Sequence, residues 1–152
     1  MNKLEPDLLL IGSAGTYDLT EEQWTEGTTR IFEEQITSAK RIAIIAPTYA
    51  LGFNGVTCLM EHGGVARVQA SSKDTCSSPA DDKRRSSAIK GLQRAVDSLL
   101  NTALVDLNDA VCPGQRCNAI SGDLIVFRDN QHLTASFALS LADNMRDALG
   151  VP

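Results

Sequence analysis

Two short runs of apolar residues stand on either side of a helical pattern near the start of the chain. Leu8–Ile11 and Ile42–Ala46 are continuous apolar stretches, which is typical of strands buried in a parallel sheet. A helix between two such strands makes a βαβ unit, and its crossover is almost always right-handed. The pattern therefore predicts two parallel strands joined by a helix.

The joining helix is predicted from Thr20 to about Ala39. Thr20 can cap its start, and Gln23 can reach back as the second member of a capping box. Residues at helical spacing predict its buried face, which consists of Trp24, Thr28, Ile31, Ile36 and Ala39.

The apolar pattern in the rest of the chain predicts two more helices and two more strands. The helices cover about 82–100 and 134–149, and the strands are Ala103–Leu107 and Leu124–Phe127. The apolar stripes of the two helices are Ala88, Ile89, Leu92, Ala95, Val96 and Leu99 in the first and Ala138, Leu141, Met145 and Ala148 in the second. This order predicts a single α/β domain over residues 1–152, a three-layer α/β/α arrangement with helices on both faces of a short parallel sheet.

Residues 48–80 show no periodicity and are predicted to be irregular. They are rich in Gly and Ser, and a loop of this length inside a compact domain is usually functional or mobile. His62 lies in this segment, and we expect it to be a solvated loop residue.

Charge and composition narrow the classes of function. The net charge is −5, so the chain is a poor candidate for binding nucleic acid, which requires a basic face. The one basic run, Lys83–Arg85, follows Asp81 and Asp82 and is expected to be a solvated helix start. No apolar run approaches the roughly 20 residues of a membrane span. Met1 starts no signal-peptide pattern, which taken literally indicates a cytosolic protein.

The four cysteines point to a different compartment. Cys58 and Cys76 bracket a polar stretch, and Cys112 and Cys117 bracket a turn-like Pro-Gly-Gln-Arg segment. Two disulfides with this local pairing are favoured, although four cysteines allow three pairings and the sequence alone does not choose. Disulfides imply an exported protein, which is compatible with the missing signal if the natural polypeptide begins before Met1. Four reduced thiols are the alternative, and the spacing of Cys58 and Cys76 argues against a zinc site.

Asp129 and His132 are the residues best placed for chemistry. They lie on a segment between an apolar extended stretch and a helix, where α/β proteins present functional groups. Imidazole is the usual general base near neutral pH, and a carboxylate beside it fixes its tautomer. An isolated Asp-x-x-His is more often a polar turn. The surrounding residues therefore determine whether this motif indicates a catalytic pair.

The surrounding residues resemble the SGNH (GDSL-like) hydrolase superfamily. More narrowly, they resemble the SGNH domain fused to membrane acyltransferases of the acyltransferase-3 type, which O-acetylate cell-surface polysaccharides. The likeness rests on Phe127–Thr134, which matches a short strand, Asp-x-x-His-Leu-Ser/Thr and a closing helix. Val105-Asp106 followed by Cys112 and Cys117, the run Asp7–Pro47 and the loop around Cys58 also fit. The resemblance implies an SGNH/flavodoxin-like fold, with His132 as catalytic base and Asp129 as its orienting carboxylate.

The family's nucleophile is a serine in a Gly-Asp-Ser block on the first strand, and this sequence contains no such block. Gly122-Asp123 is followed by Leu124. We therefore expect the nucleophile strand to lie upstream of Met1. Ser13, in a Gly-rich loop after the first apolar run, is the alternative nucleophile. The family has Asn or Trp after the matching strand, where this chain has Gly12-Ser13-Ala14.

Three functions follow as hypotheses. The first is the C-terminal part of an O-acyltransferase or carbohydrate esterase, inactive without the upstream serine. The second is a non-catalytic module that binds a glycan or an acyl group. The third is a flavodoxin-like regulatory domain in which the Asp-x-x-His likeness is accidental.

The first hypothesis carries further expectations. They are an acyl donor and a carbohydrate acceptor, an upstream membrane acyltransferase domain in a longer protein, and a periplasmic or other extracytoplasmic location. No metal and no cofactor is expected. A sheet without its nucleophile strand has an uncovered edge, so a homodimer is also plausible.

Overall fold

The computed structural model describes residues 5–35, 39–71, 75–80 and 82–151. The described strands are β1 (Leu9–Gly12), β2 (Ile42–Ile45), β3 (Ser77–Pro79), β4 (Thr102–Val105), β5 (Arg116–Asn118), β6 (Ile120–Ser121) and β7 (Leu124–Ile125). The described α-helices are α1 (Glu21–Gln35), α2 (Gly55–Glu61), α3 (Val65–Gln69), α4 (Lys83–Ser98), α5 (Asn108–Val111), α6 (Ala135–Ser140) and α7 (Ala142–Leu149). The chain forms two compact units: the first is Met1–Pro47 with Lys83–Asp106, and the second is Thr48–Asp82 with Leu107–Pro152.

A parallel sheet forms the centre of the first unit. Its described strands lie in the order β1-β2-β4, with Leu9 opposite Ile42 and Ile42 opposite Thr102. The α/β class, the short parallel sheet and the strand–helix–strand order predicted for this part of the chain are confirmed. Leu107, predicted to be the last residue of the third strand, lies beyond β4, which ends at Val105.

The predicted capping box starts α1. The Thr20 backbone N–H donates to Gln23 Oε1 at 2.9 Å, and the Gln23 N–H donates to Thr20 Oγ1 at 3.2 Å. These two bonds satisfy donors that a helix N-terminus otherwise leaves unpaired.

Helices α1 and α4 pack on each other and on the sheet. Their shared core consists of Trp24, Phe32, Ile42, Ile44, Ala88, Leu92 and Val96. Gly91 permits the close approach, because a Cβ there would lie 2.4 Å from Trp24 Cβ. The predicted face of α1 was wrong at Ile31, which is 53% exposed, because the helix turns Phe32 inward instead. Ile36 lies outside the described residues.

Arg85 corrects the prediction of a solvated basic run. Lys83 and Arg84 are exposed, but Arg85 is only 8% exposed. Arg85 lies three residues before Ala88 and seven before Leu92, so the helix places it on the buried face. Its stem packs beside Gly15, where a Cβ would lie 3.2 Å from Arg85 Cγ.

The prediction that residues 48–80 are irregular was wrong. The segment contains α2, α3 and β3, and β3 pairs with β5 in an antiparallel ladder. Asn54 caps α2 by accepting the Thr57 N–H at 3.0 Å. Gly63 and Gly64, with φ of 84° and 90°, separate α2 from α3. Helices of 7 and 5 residues are too short to show an apolar period, so the sequence pattern did not reveal them.

The predictions of the last strand and the last helix were wrong in part. Leu124–Ile125 pairs antiparallel with Ile120–Ser121 and so belongs to a hairpin rather than to the parallel sheet. The final helix is divided at Leu141 into α6 and α7. Ala138 and Ala148, predicted to be buried, are exposed, while Phe137, Leu141 and Leu149 carry the buried stripe.

Two disulfides stabilise the second unit, with the pairing that the sequence favoured. Cys58 is bonded to Cys76, and Cys112 is bonded to Cys117. Cys76, Cys112 and Cys117 belong to the unit's apolar core together with Phe127 and Val126. In the part of the chain that the structure describes, no helix has the length and apolar character needed to cross a membrane.

Candidate active site

Asp129 and His132 form a hydrogen-bonded pair in the second unit. Asp129 Oδ2 lies 2.7 Å from His132 Nδ1. The other carboxylate oxygen, Oδ1, accepts the backbone N–H of Gln131 at 2.8 Å and of His132 at 2.7 Å. The three-residue spacing therefore lets one carboxylate hold both the turn and the imidazole. The structure brings the two side chains together, and their roles stay predictions.

The pair lies on a short turn closed by backbone contacts. Phe127 and Leu133 form an antiparallel bridge, and the Arg128 N–H donates to the His132 carbonyl at 2.9 Å. Phe127 is fully buried in the core of the second unit. The turn that carries the pair is thus anchored at its base, while His132 projects outward.

Thr134 fixes the far side of the turn. Its N–H donates to the Val126 carbonyl at 2.9 Å, and its hydroxyl donates to the Ile125 carbonyl. The same hydroxyl oxygen accepts the Phe137 N–H at 3.2 Å and so caps α6. One threonine therefore links the hairpin, the turn with the pair and the last helices.

Hydrogen bonds keep the Asp129 carboxylate ionised. They lower its pKa well below the ordinary 3.8, through the His132 backbone N–H first, then the Gln131 N–H and then the His132 side chain. Arg128 Nε lies 3.8 Å from Asp129 Oδ2, but its side chain is 66% exposed, so water weakens this attraction. The site thus presents a fixed negative charge to one nitrogen of the imidazole.

The ionised carboxylate determines the tautomer of His132. A carboxylate only accepts hydrogen bonds, so the nitrogen that faces it, Nδ1, must carry a proton. Nε2 of the neutral ring then holds a lone pair. The His132 side chain is 55% exposed, so a reacting group can reach Nε2. This arrangement is suited to accepting a proton at Nε2.

Ser13, the alternative nucleophile, lies in the first unit. It follows the carboxyl end of β1 and is partly buried. The Asp129–His132 pair belongs to the second unit. The role of Ser13 as a nucleophile stays a prediction. Gly122-Asp123 lies in the turn between β6 and β7, where Gln69 Nε2 contacts the Gly122 carbonyl at 2.6 Å.

The second histidine lies beside a disulfide. His62 Nδ1 lies 2.9 Å from the Cys58 carbonyl oxygen and 3.7 Å and 3.8 Å from the sulfurs of Cys58 and Cys76. The ligand atoms of these three residues lie within 4.8 Å of one another, as in a metal site. The two sulfurs are bonded to each other, however, and are therefore not thiolate ligands. His62 is exposed, as predicted, and its place after α2 was not apparent from the sequence.

Comparison with known proteins identifies a family for most of the chain. A sequence model described as the SGNH domain (fused to AT3 domains) matches residues 7–147. No curated protein and no solved structure matches the chain. The matched range contains both members of the Asp129–His132 pair and all four cysteines.

Proposed function

Because this chain belongs to the family of SGNH domains fused to AT3 domains, we propose that His132 and Asp129 are the general base and the orienting carboxylate of an acyl-transfer reaction. Membership supports an acyl-transfer or esterase type of module. The observation that carries the assignment of residues is the 2.7 Å contact between Asp129 Oδ2 and His132 Nδ1.

The first step forms an acyl-enzyme. A serine hydroxyl donates its proton to His132 Nε2 while its oxygen attacks the carbonyl carbon of the acyl donor. The imidazolium that forms carries a proton on each nitrogen, and the Asp129 carboxylate stabilises its charge. Collapse of the tetrahedral intermediate breaks the bond to the leaving group, which takes the Nε2 proton, and leaves the acyl group on the serine.

The second step repeats the proton transfer with a new nucleophile. A sugar hydroxyl or water gives its proton to Nε2 and attacks the acyl carbon, and the serine oxygen leaves with that proton. A sugar acceptor makes the reaction an O-acyl transfer, whereas water makes it an ester hydrolysis. In this proposal the acceptor is a cell-surface polysaccharide, and the domain acts on the extracytoplasmic side of the membrane, where disulfides persist.

The nucleophile in this proposal is a serine outside residues 1–152. The sequence contains no Gly-Asp-Ser block, and the family's fusion to AT3 domains supports a longer protein with an upstream acyltransferase domain. Ser13 is retained as the alternative, since it follows a strand of the parallel sheet.

The decisive experiment compares the two histidines. His132→Ala and His62→Ala are made in the natural protein that contains residues 1–152, and acyl transfer from an activated acetyl ester is measured. We expect His132→Ala to lower the rate at least about a hundredfold, because it removes the general base. His62→Ala is the matched control, an exposed histidine in the same unit, and is expected to retain the rate. Full activity in His132→Ala would exclude the proposal.

A non-catalytic binding module is the second candidate. It differs from the first candidate in the nucleophile, because a base without a nucleophile cannot form an acyl-enzyme. It predicts binding of an acetylated glycan in a titration, with no turnover of an activated ester by the natural protein. Turnover that depends on His132 would eliminate this candidate.

A further inference from the structure

The first turn of α2 abuts the turn that carries the Asp129–His132 pair. Gly55 is the first residue of α2, and its backbone N–H donates to the Asp129 carbonyl at 3.3 Å. The first N–H groups of a helix have no partner inside the helix, so this donor is available for the contact. The contact holds the backbone of the residue whose side chain orients His132.

A side chain at position 55 would disturb this contact. A Cβ there would lie 2.9 Å from Leu51 Cδ1, 3.4 Å from the Phe127 carbonyl oxygen and 3.5 Å from Ala119 Cβ. Leu51 is 3% exposed, and Phe127 and Ala119 are 0% exposed. The approaches to Phe127 and Ala119 are close to ordinary contact distances, so the 2.9 Å approach to the end of the Leu51 side chain is the one that must be relieved. Because Leu51 lies in a packed core, we expect its side chain to turn away only in part and the start of α2 to shift as well.

Two further features hold α2 in place. Asn54 caps its first turn through the Thr57 N–H, and the Cys58–Cys76 disulfide ties its middle to the residue that precedes β3. The Ala119 N–H in turn donates to the Cys76 carbonyl at 2.9 Å. Helix α2 is therefore a fixed support for the Asp129 turn rather than an adaptable one.

We propose that Gly55 is a positioning residue for the Asp129–His132 pair, because its lack of a side chain lets the start of α2 approach the Asp129 carbonyl. The importance of this role for acyl transfer rests on the proposed function above. The geometric part concerns the pair itself and can be measured without any reaction.

The experiment is NMR on Gly55→Ala, with nitrogen shifts that report the His132 tautomer and carbon shifts that report the Asp129 carboxyl. We expect the fraction of His132 with its proton on Nδ1 to fall and the Asp129 titration midpoint to move up toward 3.8. Gly52→Ala is the matched control, because a Cβ there lies 3.8 Å from the Ser78 Cβ, an ordinary contact. It is expected to reproduce the wild-type signals.

A second variant separates positioning from general damage to the fold. Leu51→Val with Gly55→Ala removes the methyl group that a Cβ at 55 meets, so we expect it to restore the wild-type signals. Wild-type signals in Gly55→Ala, or failure of the double variant to restore them, would overturn the proposal. If the signals move in Gly55→Ala but acyl transfer by the natural protein does not fall, the positioning stands and the proposed function fails. If both proposals hold, we expect Gly55→Ala to lower kcat for acyl transfer about tenfold to a hundredfold.

Discussion

At the scale of single residues, the Asp129 carboxylate has two separate tasks. Oδ1 closes the turn by accepting two backbone N–H groups, and Oδ2 holds the imidazole of His132. The sequence could indicate the second task, because Asp-x-x-His in this setting resembles a known block. The first became visible only with the backbone bonds, since no pattern of residue types distinguishes them.

Asp129→Asn separates the two tasks. The Asn side-chain oxygen can still accept the N–H groups of Gln131 and His132, but its NH₂ cannot accept the Nδ1 proton. The imidazole then loses its preferred tautomer, and we expect kcat for acyl transfer to fall about a hundredfold or more while KM changes little. Steady-state kinetics on the natural protein measures both constants. An unchanged kcat would contradict the assignment of Asp129.

The lowered pKa of Asp129 also predicts how its contribution to stability depends on pH. The folded carboxyl has a pKa below 3.8, so between the two values the unfolded state binds more protons and stability rises with pH. We expect the Tm advantage of wild type over Asp129→Ala to be complete above about pH 5 and to shrink as the pH falls below 3.8.

Thermal unfolding monitored by circular dichroism from neutral to acid pH measures this advantage. Asp143→Ala is the control, because the Asp143 side chain is 82% exposed and pairs with Arg146 at the surface. Exposed ion pairs contribute little to the stability of the fold. A Tm difference for Asp129→Ala that stays constant down to the lowest pH would show that the carboxylate's hydrogen bonds do not stabilise the fold.

At the scale of elements, the long periodic ones were predictable and the short ones were not. Helices α1 and α4 showed their apolar stripes, and Thr20 and Gln23 marked the start of α1. Helices α2 and α3 bury Leu59 and Val68 in the core of the second unit, but they are too short for periodicity to reveal them. The prediction for Arg85 was wrong for a related reason, because charge alone does not show which helix face a residue occupies.

Gly91 tests the contact between α1 and α4. A Cβ at 91 would lie 2.6 Å from the Glu21 carbonyl oxygen as well as close to Trp24, so backbone must move to make room. We expect Gly91→Ala to lower the free energy of unfolding by roughly 1–3 kcal/mol. Gly27→Ala is the matched control in α1, where a Cβ meets nothing within 4 Å. It should stabilise by about 0.5–1 kcal/mol, because alanine is the better helix former.

Urea unfolding of both variants gives the two values. We expect Gly91→Ala to lower the urea midpoint and Gly27→Ala to raise it. A general effect of replacing glycine would move both midpoints in the same direction, so the comparison distinguishes the two explanations. A Gly91→Ala variant as stable as the wild type would mean that the helices are not packed as closely as the structure places them.

At the scale of the whole chain, the family and the fold class could be predicted, but the pairing of the shortest strands could not. The Phe127–Thr134 block and the two apolar runs identified the family, whose match covers residues 7–147. The β3–β5 ladder joins Ser77 to Asn118, and its strands are three residues long. Strands this short and this far apart in sequence show no local alternation, so their pairing depends on the core and the disulfides around them.

The last prediction concerns the nucleophile. Among the described residues β1 pairs on one side only, with β2, and Leu10 in it is 51% exposed. An unpaired strand edge can accept another strand, and we expect the family's nucleophile strand to pair there. We expect the natural protein that contains residues 1–152 to have an apolar strand that ends in Gly-Asp-Ser, which sequencing of its gene determines.

The two outcomes lead to different experiments. If the Gly-Asp-Ser block is present, replacing its serine by alanine should abolish labelling by a fluorophosphonate, and Ser13→Ala should leave the labelling unchanged. If the natural protein has no such block, Ser13 becomes the nucleophile to test. Labelling that is lost in Ser13→Ala would then assign the nucleophile to Ser13, and no labelling at all would favour the binding module, because acyl transfer through this pair requires a serine.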